Sequence, residues 1–105
     1  MKATVFHGEG DVRVETVPDP AIDEGTDAIV RVTHACICGS DLWFYRGDSP
    51  WQPGWRTGHE FMGIVEDVGI EVTTLKKGDR VFAPFAFSDG SCEYCLAGVQ
   101  TSCIH

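Results

Sequence analysis

Apolar and polar residues alternate in two short bursts near the start of the chain. Lys2–Phe6 (KATVF) and Val12–Val17 (VRVETV) read as strands, joined by a turn around Gly8 and Gly10. Residues 18–27, rich in Pro, Gly and Asp, read as a loop. Ala28–Cys36 (AIVRVTHAC) is crowded with β-branched residues and reads as a longer strand. Gly39–Gly47 predicts one or two helical turns, with Ser40 or Asp41 available as a cap. Ser49–Gly58 reads as a loop, and His59–Gly69 (HEFMGIVEDVG) as a strand. Lys76–Phe87 opens with a turn at Gly78 and runs into another strand. From Ser88 onward apolar residues thin out and three cysteines appear. Short strands broken by turns predict a mainly β domain, a barrel or a sandwich. No strand is followed by GxGxxG and a helix, so these residues carry no dinucleotide fingerprint.

Composition narrows the function classes. The 105 residues, 43% apolar and 23% charged, fit one ordinary globular domain with a modest core. A formal net charge of −8 disfavours nucleic acid and anionic membrane surfaces as partners. No apolar run is long enough to span a bilayer, and the start lacks the apolar block of a signal peptide. A cytoplasmic setting with reduced thiols is expected. The five cysteines, an odd number, suit metal or thiol chemistry better than a disulfide framework.

Two stretches carry candidate chemistry. In ACICGSDL (Ala35–Leu42), Cys38 stands where a strand gives way to a turn. A thiolate there can point into a cleft from a fixed backbone, and Asp41 can accept a hydrogen bond from a ligating imidazole. Cys36 shares a strand face with Cys38 and is expected in the core, since two ligands so close crowd a tetrahedral site. In GHE (Gly58–Glu60), His59 is a potential zinc ligand and Glu60 a neighbouring carboxylate. Taken singly, a buried thiol and a structural imidazole are the plainer readings. The frame around them changes this: Gly58, His59, Glu60, Gly63, Gly69 and Val72 fit G-H-E-x2-G-x5-G-x2-V at every fixed position.

That pattern, with CGSD upstream and KKGDRV (Lys76–Val81) downstream, resembles the zinc-dependent alcohol dehydrogenases of the medium-chain dehydrogenase/reductase superfamily. The resemblance runs over essentially the whole chain. It implies the N-terminal part of a GroES-like catalytic domain: a partly open β-barrel with short helical turns and a cysteine-containing lobe at residues 88–105. It implies that Cys38 and His59 are two of three protein ligands of a catalytic zinc, with Glu60 beside the metal. Asp41 would orient His59, and Ser40 would contact the substrate alcohol and begin a proton path. Zinc in such a site is a Lewis acid toward an alcohol that passes hydride to NAD or NADP. The third ligand and the nucleotide-binding Rossmann domain are expected outside these 105 residues, so the piece alone is expected to be inactive.

Two positions depart from the family pattern. Trp43 stands where a proton-relaying His is common, which implies a bulkier wall near the metal. Trp43, Phe44, Tyr45, Trp51 and Trp55 are crowded together here, as packing or as the lining of an apolar pocket. The lobe keeps Cys92, Cys95 and Cys103 of a four-cysteine structural zinc pattern, C-x2-C-x2-C-x7-C, but has Asp89 in the first position. One carboxylate and three thiolates still form a chemically reasonable zinc tetrahedron. The implied whole protein is a homo-oligomer acting on a small-molecule alcohol or carbonyl substrate. The contrasting reading is a freestanding zinc-binding GroES-like module without dehydrogenase activity; a zinc-free reductase relative would have no use for Cys38, His59 and Glu60.

Overall fold

A computed structural model describes residues 1–104. Five strands form two sheets. β1 (Lys2–Gly8) and β2 (Asp11–Thr16) make an antiparallel hairpin. β3 (Ala28–Ala35), β4 (Phe61–Val68) and β5 (Arg80–Ala83) make an antiparallel sheet in that order. Two short helices, α1 (Asp41–Tyr45) and α2 (Glu93–Leu96), and a 3₁₀ turn at Gln100–Ser102 complete the chain. The mainly β expectation holds, and the sheets do not close into a barrel.

The two sheets are tied together by the residues expected to be a plain loop. Trp55, Arg56 and Thr57 run alongside β1: Phe6 N donates to Trp55 O at 2.9 Å, and Thr57 N donates to Thr4 O at 3.0 Å. The Thr4 hydroxyl adds a bond to Thr57 O at 2.8 Å. This tie closes a small aromatic core. Phe6 meets the edge of Phe44 at 5.6 Å, Phe44 stacks on Trp51 at 4.8 Å, and Trp51 meets Trp55 edge-on at 5.0 Å. Val5, Phe6, Phe44 and Val65 are the buried aliphatic and aromatic residues.

The glycine frame of β4 has a packing cause. A Cβ on Gly63 would lie 2.5 Å from Arg31 O across the β3–β4 pair, and one on Gly69 would lie 2.3 Å from Gly25 O. Gly69 N donates to Asp27 O at 2.7 Å and Glu71 N to Gly25 O at 2.8 Å, so the loop before β3 lies directly on the end of β4. Asp27 holds that loop by accepting from the amides of Asp23 and Glu24 at 3.0 and 2.9 Å. Gly69→Ala therefore pushes backbone against backbone, and destabilisation on the order of 3 kcal/mol is expected. A denaturant midpoint for the full-length variant equal to wild type would refute this packing account.

The KKGD turn is fixed by a similar device. Asp79 Oδ2 accepts from Lys76 N at 3.0 Å, while Val65 N donates to Asp79 O and Gly78 N to Val65 O, both at 2.9 Å. β5 is short because only Phe61–Ile64 pair with it. The expected continuation to Phe87 leaves the sheet at Pro84, which has no amide hydrogen for the ladder.

Large apolar side chains on β5 and on the segments after β3 and β5 are exposed. Phe82, Phe85, Phe87 and Ile37 are 75%, 60%, 91% and 83% exposed. The radius of gyration, 15.6 Å, exceeds the about 13 Å of a compact domain this long.

Candidate metal centre and its cavity

The turn after β3 builds one half of the site. Asp41 N donates to Cys38 O at 3.1 Å, and Asp41 Oδ2 accepts from Cys38 N at 2.9 Å. This reciprocal pair bends the chain so that Cys38 leaves the strand and α1 begins three residues later. Ser40 occupies the N-cap position of α1 but makes no capping bond, which leaves its hydroxyl for other partners. The expected capping role therefore falls to neither residue in the usual sense: Asp41 reaches back to Cys38 instead.

The start of β4 builds the other half. Gly58, at φ +97°, takes a backbone conformation that side chains disfavour and delivers His59 to the turn side of the sheet. Glu60 O accepts from Cys36 N at 3.2 Å, pinning the end of β3 to the start of β4. One donor atom each from Cys38, His59 and Glu60 then lies within 4.8 Å of the others.

His59 shows what this arrangement is short of. Its Nδ1 lies 3.4 Å from Asp41 Oδ1, so the carboxylate flanks that side of the ring. Its Nε2 is buried and has no hydrogen-bond partner. A buried lone pair without a donor is costly in a protein interior. A cation between Nε2, the Cys38 thiolate and the Glu60 carboxylate removes that cost, and the donor set suits zinc. Phe85 packs edge-on to the ring at 5.5 Å and limits its rotation.

Cys36 corrects the sequence expectation. It is exposed rather than in the core, and its Sγ lies 3.4 Å from Glu60 Oε2. The Glu60 carboxylate, chiefly by accepting the thiol hydrogen, holds the Cys36 pKa above its ordinary value.

A cavity of about 230 Å³ opens beside His59. Ser40, Trp43, Phe44 and Trp51 line it, so three of the crowded aromatic residues form walls; Tyr45 and Trp55 do not. Ser49, Arg56 and Thr57 also line it. These three fall in the stretch read as a loop, and sequence reasoning missed them. The available signal was an arginine only three positions before His59 in WRTGH.

The second cluster lies in the lobe. Asp89, Cys92, Cys95 and Cys103 bring one donor atom each within 4.8 Å of one another. Cys92 and Cys95 are buried, with Sγ atoms 3.5 Å apart and no disulfide. Tetrahedral zinc with thiolates at about 2.3 Å needs sulfur atoms roughly 3.8 Å apart, so the spacing fits. Asp89 Oδ1 accepts from the amides of Ser91 and Cys92 at 3.0 and 3.1 Å, and Oδ2 from the Ser91 hydroxyl at 3.1 Å. The carboxylate thus shapes the turn as well as joining the cluster. Backbone hydrogen bonds, first from Ile104 and then from Cys95, hold the Cys92 pKa down, whereas burial pushes Cys95 up to about 12.

Two clusters of zinc-type donors, one between the ends of β3 and β4 and one in the lobe around α2, sit on an open, mainly β scaffold. The family profile of the alcohol dehydrogenase GroES-like domain matches residues 24–105, and the chain belongs to that family. It is 47% identical over 104 residues to an uncharacterized zinc-type alcohol dehydrogenase-like protein, AdhB, of Bacillus subtilis, covering 98% of this chain and 28% of that protein. It is 43% identical to zinc-type alcohol dehydrogenase B of Aspergillus flavus, covering 98% of this chain and 24% of that one. The solved structure of alcohol dehydrogenase TADH from Thermus sp. ATN1 superposes with a TM-score of 0.90 at 43% identity, over 99% of this chain and 30% of that one. The chain thus spans about a quarter to a third of these relatives' lengths.

Proposed function

We propose that these residues are the N-terminal part of the catalytic domain of a zinc-dependent, NAD(P)-dependent alcohol dehydrogenase, with residues 88–105 as its structural-metal lobe. The observation that carries this reading is the partnerless, buried Nε2 of His59, set among the donors of Cys38 and Glu60 at the mouth of a cavity. Cys38 and His59 hold zinc, with Glu60 as the carboxylate beside it. Zinc held there would supply Lewis acidity toward an alcohol oxygen, for hydride transfer to a nicotinamide that would be bound outside these residues. Asp41, 3.4 Å from His59 Nδ1, orients the ring so that Nε2 is the nitrogen left for the metal. Ser40, with its hydroxyl uncommitted to the helix, receives the proton of the substrate alcohol. Trp43 cannot pass that proton on as an imidazole would, so its exit runs through solvent; the residue is 62% exposed.

In the lobe, Asp89, Cys92, Cys95 and Cys103 hold a second zinc. The substrate is a small molecule, and the whole protein is a cytoplasmic homo-oligomer whose association covers apolar surface such as that of β5. No helix among the described residues is long and apolar enough to cross a membrane.

The test uses the full-length protein. NAD- or NADP-linked alcohol oxidation is expected, lost on chelation and restored by zinc, with two zinc ions per chain by elemental analysis. A metal-free protein with undiminished turnover, or one binding no zinc at either cluster, would overturn the reading.

A further inference from the structure

Arg56 gives the cavity a feature that the alcohol chemistry does not use. Its backbone is fixed by the bonds that Trp55 and Thr57 make to β1, and by the Val5–Arg56 bridge between them. It lines the same cavity as Ser40 and His59. Of the five arginines in this chain of net charge −8, two pair with carboxylates, Arg13 with Asp11 at 2.6 Å and Arg31 with Glu66 at 2.8 Å. Arg56 has no ion pair or side-chain hydrogen bond among the described residues. Arg46 and Arg80 share that condition, but neither lines the cavity.

The only carboxylate in the cavity lining is that of Asp41. Both its oxygens are already placed, Oδ1 toward His59 Nδ1 and Oδ2 on Cys38 N. The rest of the lining is aromatic or hydroxyl-bearing, apart from Gly58 and His59. At about 230 Å³ the space is below the usual ligand-pocket range of roughly 300–1,000 Å³, so it takes one ring or a short chain. A planar guanidinium with five donors matches a carboxylate or phosphate in two-point fashion.

We propose that Arg56 makes the cavity selective for small alcohols that carry an anionic group, the hydroxyl toward Ser40 and His59 and the anion on the guanidinium. The aromatic walls of Trp43, Phe44 and Trp51 sandwich the apolar body between the two polar ends. This rests on the dehydrogenase reading for its catalytic consequence, but the binding selectivity stands apart from turnover.

Two measurements on the zinc-loaded full-length protein separate them. The first is binding, read by quenching of tryptophan fluorescence, because Trp43 and Trp51 form the walls. Benzoate is expected to bind at least tenfold more tightly than benzamide; R56Q erases that difference, and R56K restores part of it. Phenyl phosphate beside benzoate tells which anion the site prefers, and either preference keeps the proposal. Equal binding of benzoate and benzamide, no binding of either anion, or benzoate binding that R56Q leaves unchanged because the metal alone holds it, overturns the proposal.

The second is turnover, as the ratio of kcat/KM for 4-(hydroxymethyl)benzoate over benzyl alcohol. Hydrogen bonds to charged groups contribute enough for a ten- to hundredfold effect, so the ratio is expected to fall at least tenfold in R56Q. A ratio unmoved by R56Q overturns the proposal. Absence of turnover on both alcohols with both nicotinamides counts against the dehydrogenase reading alone, and the binding measurement still decides the role of Arg56.

Discussion

His59→Gln in the full-length protein is expected to remove the zinc of the Cys38 site and to lower kcat/KM for alcohol oxidation by on the order of a thousandfold. Lewis-acid stabilisation of a developing oxyanion is worth several kcal/mol, and each ~1.4 kcal/mol is a factor of ten in rate. The structural argument for so large an effect is the position of the ring. Nδ1 is already directed at Asp41, so Nε2 is the nitrogen left for the metal, and it has no other partner. A glutamine amide can fill the space, but it does not reproduce the imidazole lone pair in that orientation. Elemental analysis of wild type and variant, with circular dichroism to show that β3 and β4 persist, makes the test. A variant that keeps its full zinc complement and its rate would mean that the cluster is not the reactive centre.

Cys95→Ser has a different expected signature. It should release the lobe's zinc while the Cys38 site stays loaded, and lower the unfolding temperature by on the order of 10 °C. Structural zinc contributes apparent binding free energies of about 10–16 kcal/mol at neutral pH, comparable with the whole stability of a domain. The lobe has little else to hold it: α2 has four residues, and Tyr94, Leu96 and Val99 are exposed. Buried thiols at 92 and 95 without a cation lose hydration and gain little in return. Because burial pushes Cys95 up to about 12, its thiol is protonated at neutral pH without metal. Zinc uptake by the lobe therefore releases protons, and occupancy is lost as pH falls. Limited proteolysis is the companion measurement, with new cleavage between residues 88 and 104 expected in the variant. Unchanged zinc content together with an unchanged protease pattern would show that the lobe does not depend on this ligand.

The strands of the three-stranded sheet were legible because their β-branched runs have no competing reading: β3 and β4 begin and end within two residues of the sequence expectation. The donor pairs were legible for another reason. Residue type alone favours a buried thiol and a structural imidazole; the glycine frame and the family resemblance single out Cys38, His59 and Glu60 and the four lobe residues, and the structure brings each set together. What failed depended on neighbours that local pattern does not report. Cys36 was expected in the core because two ligands so close on one strand would crowd a tetrahedral site, but it is exposed, with its thiol on Glu60. Residues 55–57 looked like loop because their partner strand, β1, lies about fifty positions away; proline and glycine content marks turns and says nothing of long-range pairing. Arg56 was passed over with them, and only the cavity gives it meaning.

The tie between Thr4 and Thr57 joins residues 53 positions apart. The β1–β2 hairpin can close on its own, whereas this tie must gather a long stretch of chain before it returns any bonding. The aromatic cavity sits behind it, since Phe6 and Trp51 are brought to Phe44 from opposite sides of that gap. In time, then, the hairpin is expected to order first and the cavity late. During refolding, stacking of Trp51 on Phe44 should lag the appearance of hairpin signal, and a chain caught between the two stages would have the β1–β2 hairpin without the cavity.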